Sequence, residues 1–237
     1  MLRVEELNMI YSDSIQALKN VSLIVPDNHI YCLLGDNGAG KSTLIHLFLD
    51  FFRPTSGNTF IDKINVQDNP VNARKRIAYL PDQVELYETM TGFENLSFFC
   101  KLARCSHKMN DLQKLFNFVK LNIKWGREPV CNYSRGMKQK LGLAILLGRR
   151  AKSFLLDEPT LGLDPQSSRD LLNTLLQLKD SGASILMSTH DLFRAQKIAD
   201  TIGILTKGQL VLEIPKSQIK DLDLENTLLD YMEGTIS

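Results

Sequence analysis

The chain has little of what would tie it to a particular environment. Its four cysteines, Cys32, Cys100, Cys105 and Cys131, are scattered through 237 residues with no CxxC pair and no His/Cys cluster at metal spacing. Neither a zinc site nor a disulfide framework is indicated, and a reducing cytoplasm fits best. An excess of one charge is lacking too. With 28 basic and 27 acidic side chains the formal net charge is +1, which gives no long-range field to draw in nucleic acid or an acidic surface. No nucleic-acid partner is expected. The longest apolar stretch, Leu141 to Leu147, is far too short to span a bilayer, and the opening Leu2-Arg3-Val4-Glu5-Glu6 does not read as a signal peptide. Work at a membrane would need another chain to hold this one there. Internal repeats and low-complexity linkers are missing as well. What remains is 43% apolar and 23% charged, an ordinary globular composition. The length suits one large α/β domain or one domain with a modest insertion.

Against this plain background one stretch stands out. Gly35-Asp36-Asn37-Gly38-Ala39-Gly40-Lys41-Ser42-Thr43 follows the apolar run Ile30 to Leu34 and precedes Leu44 to Leu49, so it reads as strand, glycine loop, helix. The spacing fits a phosphate-binding loop. Glycines at 35, 38 and 40 let the backbone turn and bring several N–H groups close to an anion without Cβ interference. Lys41, read as exposed to the site, can reach the β- and γ-phosphates. The Ser42 hydroxyl can ligate Mg²⁺ at the start of a helix whose dipole favours negative charge. The plain alternative is a glycine-rich turn between a strand and a helix.

Around the loop the texture is that of a doubly wound sheet. Alternation through Leu2, Val4 and Leu7, then the run Val21 to Val25 before the turn Pro26-Asp27-Asn28, reads as strands of a flanking sheet. Tyr11 lies between them, where an aromatic can stack on a base or simply cover a sheet edge. The segment Lys41 to Phe52 predicts one helix, apolar on nearly every side, ended by Arg53-Pro54. Asn58 to Ile64 reads as a strand with a turn at Asp62-Lys63, and Ile77 to Leu80 as another stopping at Pro81. From about Glu85 to Lys140 the period becomes helical, which predicts an inserted helical unit. Beyond it the runs Phe154 to Leu156, Ser184 to Met187 and Ile202 to Leu205 are separated by helical segments over Gln166 to Lys179 and Leu192 to Ala199. Strands alternating with helices argue for a parallel sheet covered on both faces. After Lys207-Gly208-Gln209 a strand over Leu210 to Ile214 and a short polar helix close the chain.

Three further stretches carry candidate chemistry. Asp157-Glu158 ends a buried strand, where ligands bind in open parallel sheets. Asp157 is placed to hold Mg²⁺ through water, and Glu158 to orient or deprotonate a water attacking a γ-phosphate; the alternative is a solvated acidic turn. His190, in Ser188-Thr189-His190-Asp191, ends another strand and can donate to the same phosphate, or be structural. Ser134, in Tyr133-Ser134-Arg135-Gly136-Met137, is a good N-cap whose helix offers a second anion site, or caps a helix and nothing more.

The whole set, in order and spacing, resembles the ATP-binding subunits of ABC transporters. The resemblance implies that Gly35 to Thr43 form the Walker A motif, that Leu155 to Glu158 lie in Walker B, and that Leu161-Gly162-Leu163-Asp164 is the D-loop. It makes His190 the switch histidine, Tyr11 the adenine-stacking aromatic and Ser134 to Met137 the signature motif. It implies a P-loop NTPase fold of the α/β class, with a mostly parallel sheet, an N-terminal antiparallel β subdomain and an inserted helical subdomain, the chain 1–237 forming one ATPase domain. ATP and Mg²⁺ are the implied cofactors. The implied partners are a second ATPase subunit and a membrane permease at the cytoplasmic face.

Several positions depart from the pattern. The usual signature is Leu-Ser-Gly-Gly-Gln; here Ser134 and Gly136 are kept and Arg135 replaces the first glycine. Asp36 replaces a common proline. The Mg²⁺-contacting glutamine usually follows the residue matching Pro81, a place held by Asp82 with Gln83 one position later, so either can serve. The form Tyr-Ser-x-Gly-Met-x-Gln is similar to the exporter branch that serves drugs, antimicrobial peptides, polysaccharides or copper-related cargo. A cluster of Leu86, Tyr87, Met90 and Phe93 just after Asp82-Gln83 is expected either to form the docking groove for the permease or, for any one of the four, only to fill the core of the insertion. Two rivals stand beside this reading: a soluble ATPase of the same type acting on ribosomes or DNA, and a cassette that only binds ATP as a switch. The first usually carries two cassettes or long coiled-coil inserts, which this chain lacks; Glu158 and His190 argue against the second.

Overall fold

The computed structural model describes residues 1–12 and 14–219. Strands β1 (Leu2–Ile10) and β2 (Gln16–Val25) form an antiparallel pair whose buried set, Leu2, Val4, Leu7 and Met9 facing Leu18, Val21, Leu23 and Val25, follows the expected alternation. Strand β3 (His29–Leu34) leads into α1 (Lys41–Phe48). β4 (Ser56–Ile61) and β5 (Ile64–Asn65) then join the first sheet, with the predicted turn at Asp62-Lys63. Its strand order is β2-β1-β4-β5.

After α2 (Pro70–Arg74) and β6 (Ile77–Leu80) come α3 (Gly92–Leu102), α4 (Met109–Phe118), two 3₁₀ turns at Ile123–Arg127 and Val130–Asn132, and α5 (Arg135–Gly148). The chain closes its second sheet with β7 (Ser153–Leu156), α6 (Pro165–Asp180), β8 (Ser184–Thr189), α7 (Leu192–Ile198), β9 (Thr201–Thr206) and β10 (Gln209–Pro215), followed by α8 (Lys216–Ile219). That sheet runs β10-β9-β3-β8-β7-β6, parallel except for β10 at its edge.

The parallel strands read as unbroken apolar runs because each face is covered. Alternate residues go to different cores. Ile30, Cys32 and Leu34 of β3, with Phe154, Leu156, Ile185 and Met187, pack against α3 to α7. Tyr31, Leu33, Leu155 and Leu186 pack with α1 against the antiparallel sheet. The central β3 is thereby fixed from both sides, and the loop at its carboxyl end inherits that rigidity.

Three expectations need correction. Helix α1 stops at Phe48 rather than Phe52, because Asp50 takes a left-handed backbone (φ 57°) and the N–H groups of Phe51 and Asp50 bond back to the carbonyls of His46 and Leu47 at 3.1 and 3.3 Å. This is a Schellman ending built on aspartate instead of glycine. Helical structure in the insertion begins only at Gly92, behind a Thr91/Glu94 capping box, and α5 runs beyond Lys140 to Gly148. Phe93 is not part of an exposed groove: it is 5% exposed, lies 4.6 Å from the Phe116 ring and packs on Gly126. The expected closing polar helix lies largely outside the described residues.

Candidate functional site

The loop from Gly35 to Gly40 is shaped by what presses on it. A Cβ at Gly35 would lie 2.2 Å from the Leu205 carbonyl oxygen, and one at Gly40, where φ is 107°, would lie 2.6 Å from that of Ala17. Only glycine lets the chain pass so close to β9 and β2. Gly40 is also the N-cap of α1, so this helix starts with no side-chain cap, and its first N–H groups have no side chain to receive them. An uncapped helix start at the mouth of a cleft is a ready anion site.

That cleft, of about 480 Å³, is lined by Tyr11, Asp36, Asn37, Gly38, Gly40, Lys41, Ser42, Thr43 and Glu158, together with residues 15–17, Lys19 and the Lys207-Gly208 turn. Ala39 differs: its side chain is buried in the core, leaving only its backbone at the loop, with its N–H bonded to Asp36 O at 3.2 Å. Lys41 lines the cleft, as its sequence context suggested, yet is only 5% exposed to solvent, its ammonium donating to the carbonyls of Gly35 at 2.6 Å and Asp36 at 3.0 Å. It also lies 3.7 Å from Glu158 Oε1.

Glu158 is held on three sides. Its backbone is left-handed (φ 44°), its N–H donates to Ser188 Oγ at 2.9 Å, and its Oε2 lies 3.0 Å from His190 Nδ1. Its Oε1 is buried without a hydrogen-bond partner, an unmet acceptor at the edge of the cleft. Ser188 in turn donates to Asp157 Oδ1 at 2.5 Å, so one hydroxyl fixes both acids. The role of Ser188 escaped the sequence reading; its signal was a small polar residue next to the end of a buried strand, the neighbour of the acid-bearing one. Asp157 is 7% exposed and stands behind Glu158 rather than lining the cleft. Burial, aided by the negative charges of Asp157 and Asp82, pushes the Tyr79 hydroxyl well above its ordinary value.

Tyr11 lies at the cleft with its hydroxyl 3.1 Å from Thr43 Oγ1 and its ring edge-to-face with Phe52, centroids 5.6 Å apart. Asp82 and Gln83 line a separate groove of about 410 Å³ with Leu86, Tyr133, Arg135, Lys138 and Gln139. Ser134 caps α5, its Oγ accepting the Met137 N–H at 3.3 Å, and is exposed. Gly136 is buried against Ser167, whose Oγ would lie 2.6 Å from a Cβ there. Neither Ser134 nor Gly136 lines the cleft of the same chain. Asn95, also missed, is fully buried and binds the backbone of Tyr87, Met90 and Thr91, which shapes the loop ahead of α3. Arg194 ties α7 to the segment after Glu158 by donating to Thr160 O at 2.7 Å.

A glycine loop between a central parallel strand and an uncapped helix, with acids at the end of a nearby strand, defines the P-loop class of nucleotide-binding proteins. A family model described as ABC transporter matches residues 18–161. The chain is 32% identical over 237 residues, all of its own length and 76% of the relative's, to the bacitracin transport ATP-binding protein BcrA of Enterococcus faecalis. It is 32% identical to the lantibiotic transport ATP-binding protein SrtF of Streptococcus pyogenes, over 90% of each chain. Among solved structures, one described as the ATP-binding subunit of an ABC transporter superposes with a TM-score of 0.81 at 28% identity, covering 99% of this chain and 98% of the other. The dimeric cassette MJ0796 bound to ADP and Pi superposes at 0.82 with 23% identity, covering 91% and 99%, which speaks to the fold alone. The chain belongs to the ABC transporter family as an ATP-binding subunit, and it is an ATPase.

Proposed function

We propose that two such subunits close around two ATP molecules, hydrolyse them and drive a membrane permease, most fittingly an exporter, from the cytoplasmic face of the membrane. The observation that carries this reading is the separation of Ser134 and Gly136 from the cleft of their own chain. An exposed helix start with a kept serine has no phosphate to meet unless a second chain brings one. The bacitracin and lantibiotic relatives support export. In this reading 1–237 is one ATPase domain, and Leu86, Tyr87 and Met90 face the permease without Phe93.

Within each half-site, Tyr11 stacks on adenine, while the loop amides from Gly35 to Thr43 and the Lys41 ammonium hold the phosphates. On binding, Lys41 exchanges the Gly35 and Asp36 carbonyls for phosphate oxygens, which costs no new burial of its charge. Glu158 accepts a proton from the attacking water through the carboxylate whose Oε1 has no partner, and His190, braced on Oε2, donates to the γ-phosphate. The oxygen donors present suit a hard divalent cation completed by phosphate and water: Ser42 and Asp157, with either Asp82 or Gln83, would hold Mg²⁺. When bound, that ion neutralises charge developing on the phosphate oxygens.

Glu158→Gln keeps size and hydrogen bonding but cannot take the proton, so ATP should bind and remain. Light scattering of this variant with ATP should show a dimer that the Ser134→Arg addition abolishes, with ATP still bound by the monomer. A double variant that dimerises as well as Glu158→Gln alone refutes the reading.

A further inference from the structure

Helices α5 and α6 meet through contacts that climb both helices in step. At the first turn the Arg135 guanidinium lies over Gly162, its Nη1 2.9 Å from where a Cβ would stand, and Gly136 abuts Ser167. Deeper in, Lys140 Nζ donates to Asp170 Oδ2 at 2.8 Å, with both side chains 11% exposed. The other carboxylate oxygen accepts from Gln166 at 3.0 Å, and a second Lys140 proton goes to the Lys120 carbonyl at 3.3 Å. An ion pair this sheltered is costly to desolvate and is offset only by good geometry and further hydrogen bonds. The Lys140–Asp170 bond itself ties one helix to the other; Gln166, one turn earlier on α6, holds the carboxylate in place, and Lys120, whose ammonium lies 3.5 Å from Asp170 Oδ1, joins the segment after α4 to the same cluster.

We propose that Lys140 and Asp170 are positioning residues that hold the α5 start at Ser134 and the 161–164 loop in one fixed relation, so that both reach a partner subunit's bound nucleotide as a single body. The inference rests on the two-subunit reading given above. Asp164 belongs to the same body: its carboxylate caps α6 by accepting the N–H groups of Gln166 and Ser167 at 3.0 and 2.9 Å. The pair lies six residues beyond Ser134 on one helix and six beyond Asp164 on the other, so it sets the spacing of the two ends without touching nucleotide.

The test replaces the pair by apolar residues of similar length, Lys140→Met with Asp170→Leu, an exchange that often leaves stability near its original value. The expected result is unchanged ATP affinity of the monomer and unchanged KM, with kcat lowered about tenfold and ATP-driven dimerisation in a Glu158→Gln background weakened about as much. Lys140→Arg, which keeps the bridge, should retain both activities. Parent-like kcat and dimerisation in the apolar double variant overturn the inference. Should that variant fail to fold by circular dichroism, Asp170→Asn is judged by the same two readouts. Loss of folding there too would make the pair a support of the fold alone and overturn its positioning role. If Ser134→Arg leaves dimerisation intact, the two-subunit reading itself has failed; if Ser134→Arg abolishes dimerisation while the apolar pair does not, only the positioning role has.

Discussion

Two helices in this molecule begin where phosphate is expected, and they begin differently. Helix α1 starts at Gly40 with no side-chain cap, behind a loop clamped by β9 and β2; α5 starts at Ser134, whose own hydroxyl caps it, on an exposed surface. An uncapped start is unfavourable for a helix by itself and tolerable where a ligand supplies the missing acceptor. A capped start is stable alone and can wait for a partner. In the two-subunit reading proposed above, α1 belongs to the part of the site that its own chain builds, and the start of α5 to the part that a second chain brings.

The sharpest way to break this comparison is to remove the charge that α1 begins with. Lys41→Ala should lower ATP hydrolysis by about 10²–10³, the usual effect of losing one group that stabilises developing charge. Circular dichroism should show the fold intact. Because Lys41 also bonds the Gly35 and Asp36 carbonyls, nucleotide affinity should fall with it. Hydrolysis above a few per cent of the parent rate would mean that the loop amides alone suffice.

Next in size is the backbone of the loop. Gly35→Ala sets a methyl 2.2 Å from a backbone oxygen of β9, a contact that no rotamer relieves, so β3 or β9 must shift. A cost of about 1–3 kcal/mol, as for other overpacked or strained positions, should appear as a drop in melting temperature together with loss of ATP binding. Gly38→Ala makes the contrast: φ is 83°, yet nothing lies within 4 Å. It should lose only the conformational part. Equal losses at both positions would argue that the clamp on the loop is unimportant.

At the other helix the effect should be smaller and of another kind. Ser134→Ala removes a cap, which typically costs about 1 kcal/mol of stability, and should leave monomer ATP binding untouched while weakening nucleotide-driven dimerisation. A fall in monomer affinity would place Ser134 at its own chain's cleft and erase the distinction between the two helices.

The half of the comparison that lies on α1 was largely legible in the sequence, because glycine spacing, an adjacent Lys-Ser-Thr and an acid pair are local patterns. The N-cap role of Ser134 was legible for the same reason. What the sequence hid was long-range or conformational. Asp50 ends α1 early by adopting a backbone that composition does not announce, and whether Phe93 lined a groove or filled the core was decided only by its packing on Gly126 and Phe116. Ser188 meets Asp157 across 31 positions of sequence, and Lys140 meets Asp170 across 30. Such pairings follow from strand order and helix packing, and no window of neighbouring residues contains them.

The smallest effect concerns the end of β3 opposite the loop, and it tests whether stability and nucleotide binding separate there. Burial lowers the affinity of the His29 ring for protons below its ordinary value, against the pull of Asp200. Burial favours protonation of Asp200, but the Ile30 N–H and the charges of Lys179 and Lys216 hold its carboxyl below the ordinary range. For both groups the folded-state pKa is depressed, so the unfolded chain binds protons first and acid favours unfolding. The His29 contribution is intact above about pH 6.5, its unfolded value, and fades as pH falls below it; that of Asp200 fades only below about pH 4. Urea titrations at pH 7.5, 5.5, 4 and 3 should show His29→Gln flattening the slope between the upper two values and Asp200→Asn the slope between the lower two. ATP binding at pH 7.5 should match the parent in both variants, since neither residue approaches the start of α1 or α5. A stability slope in His29→Gln identical to the parent between pH 7.5 and 5.5 would show that the ring is protonated as readily in the fold as in the open chain.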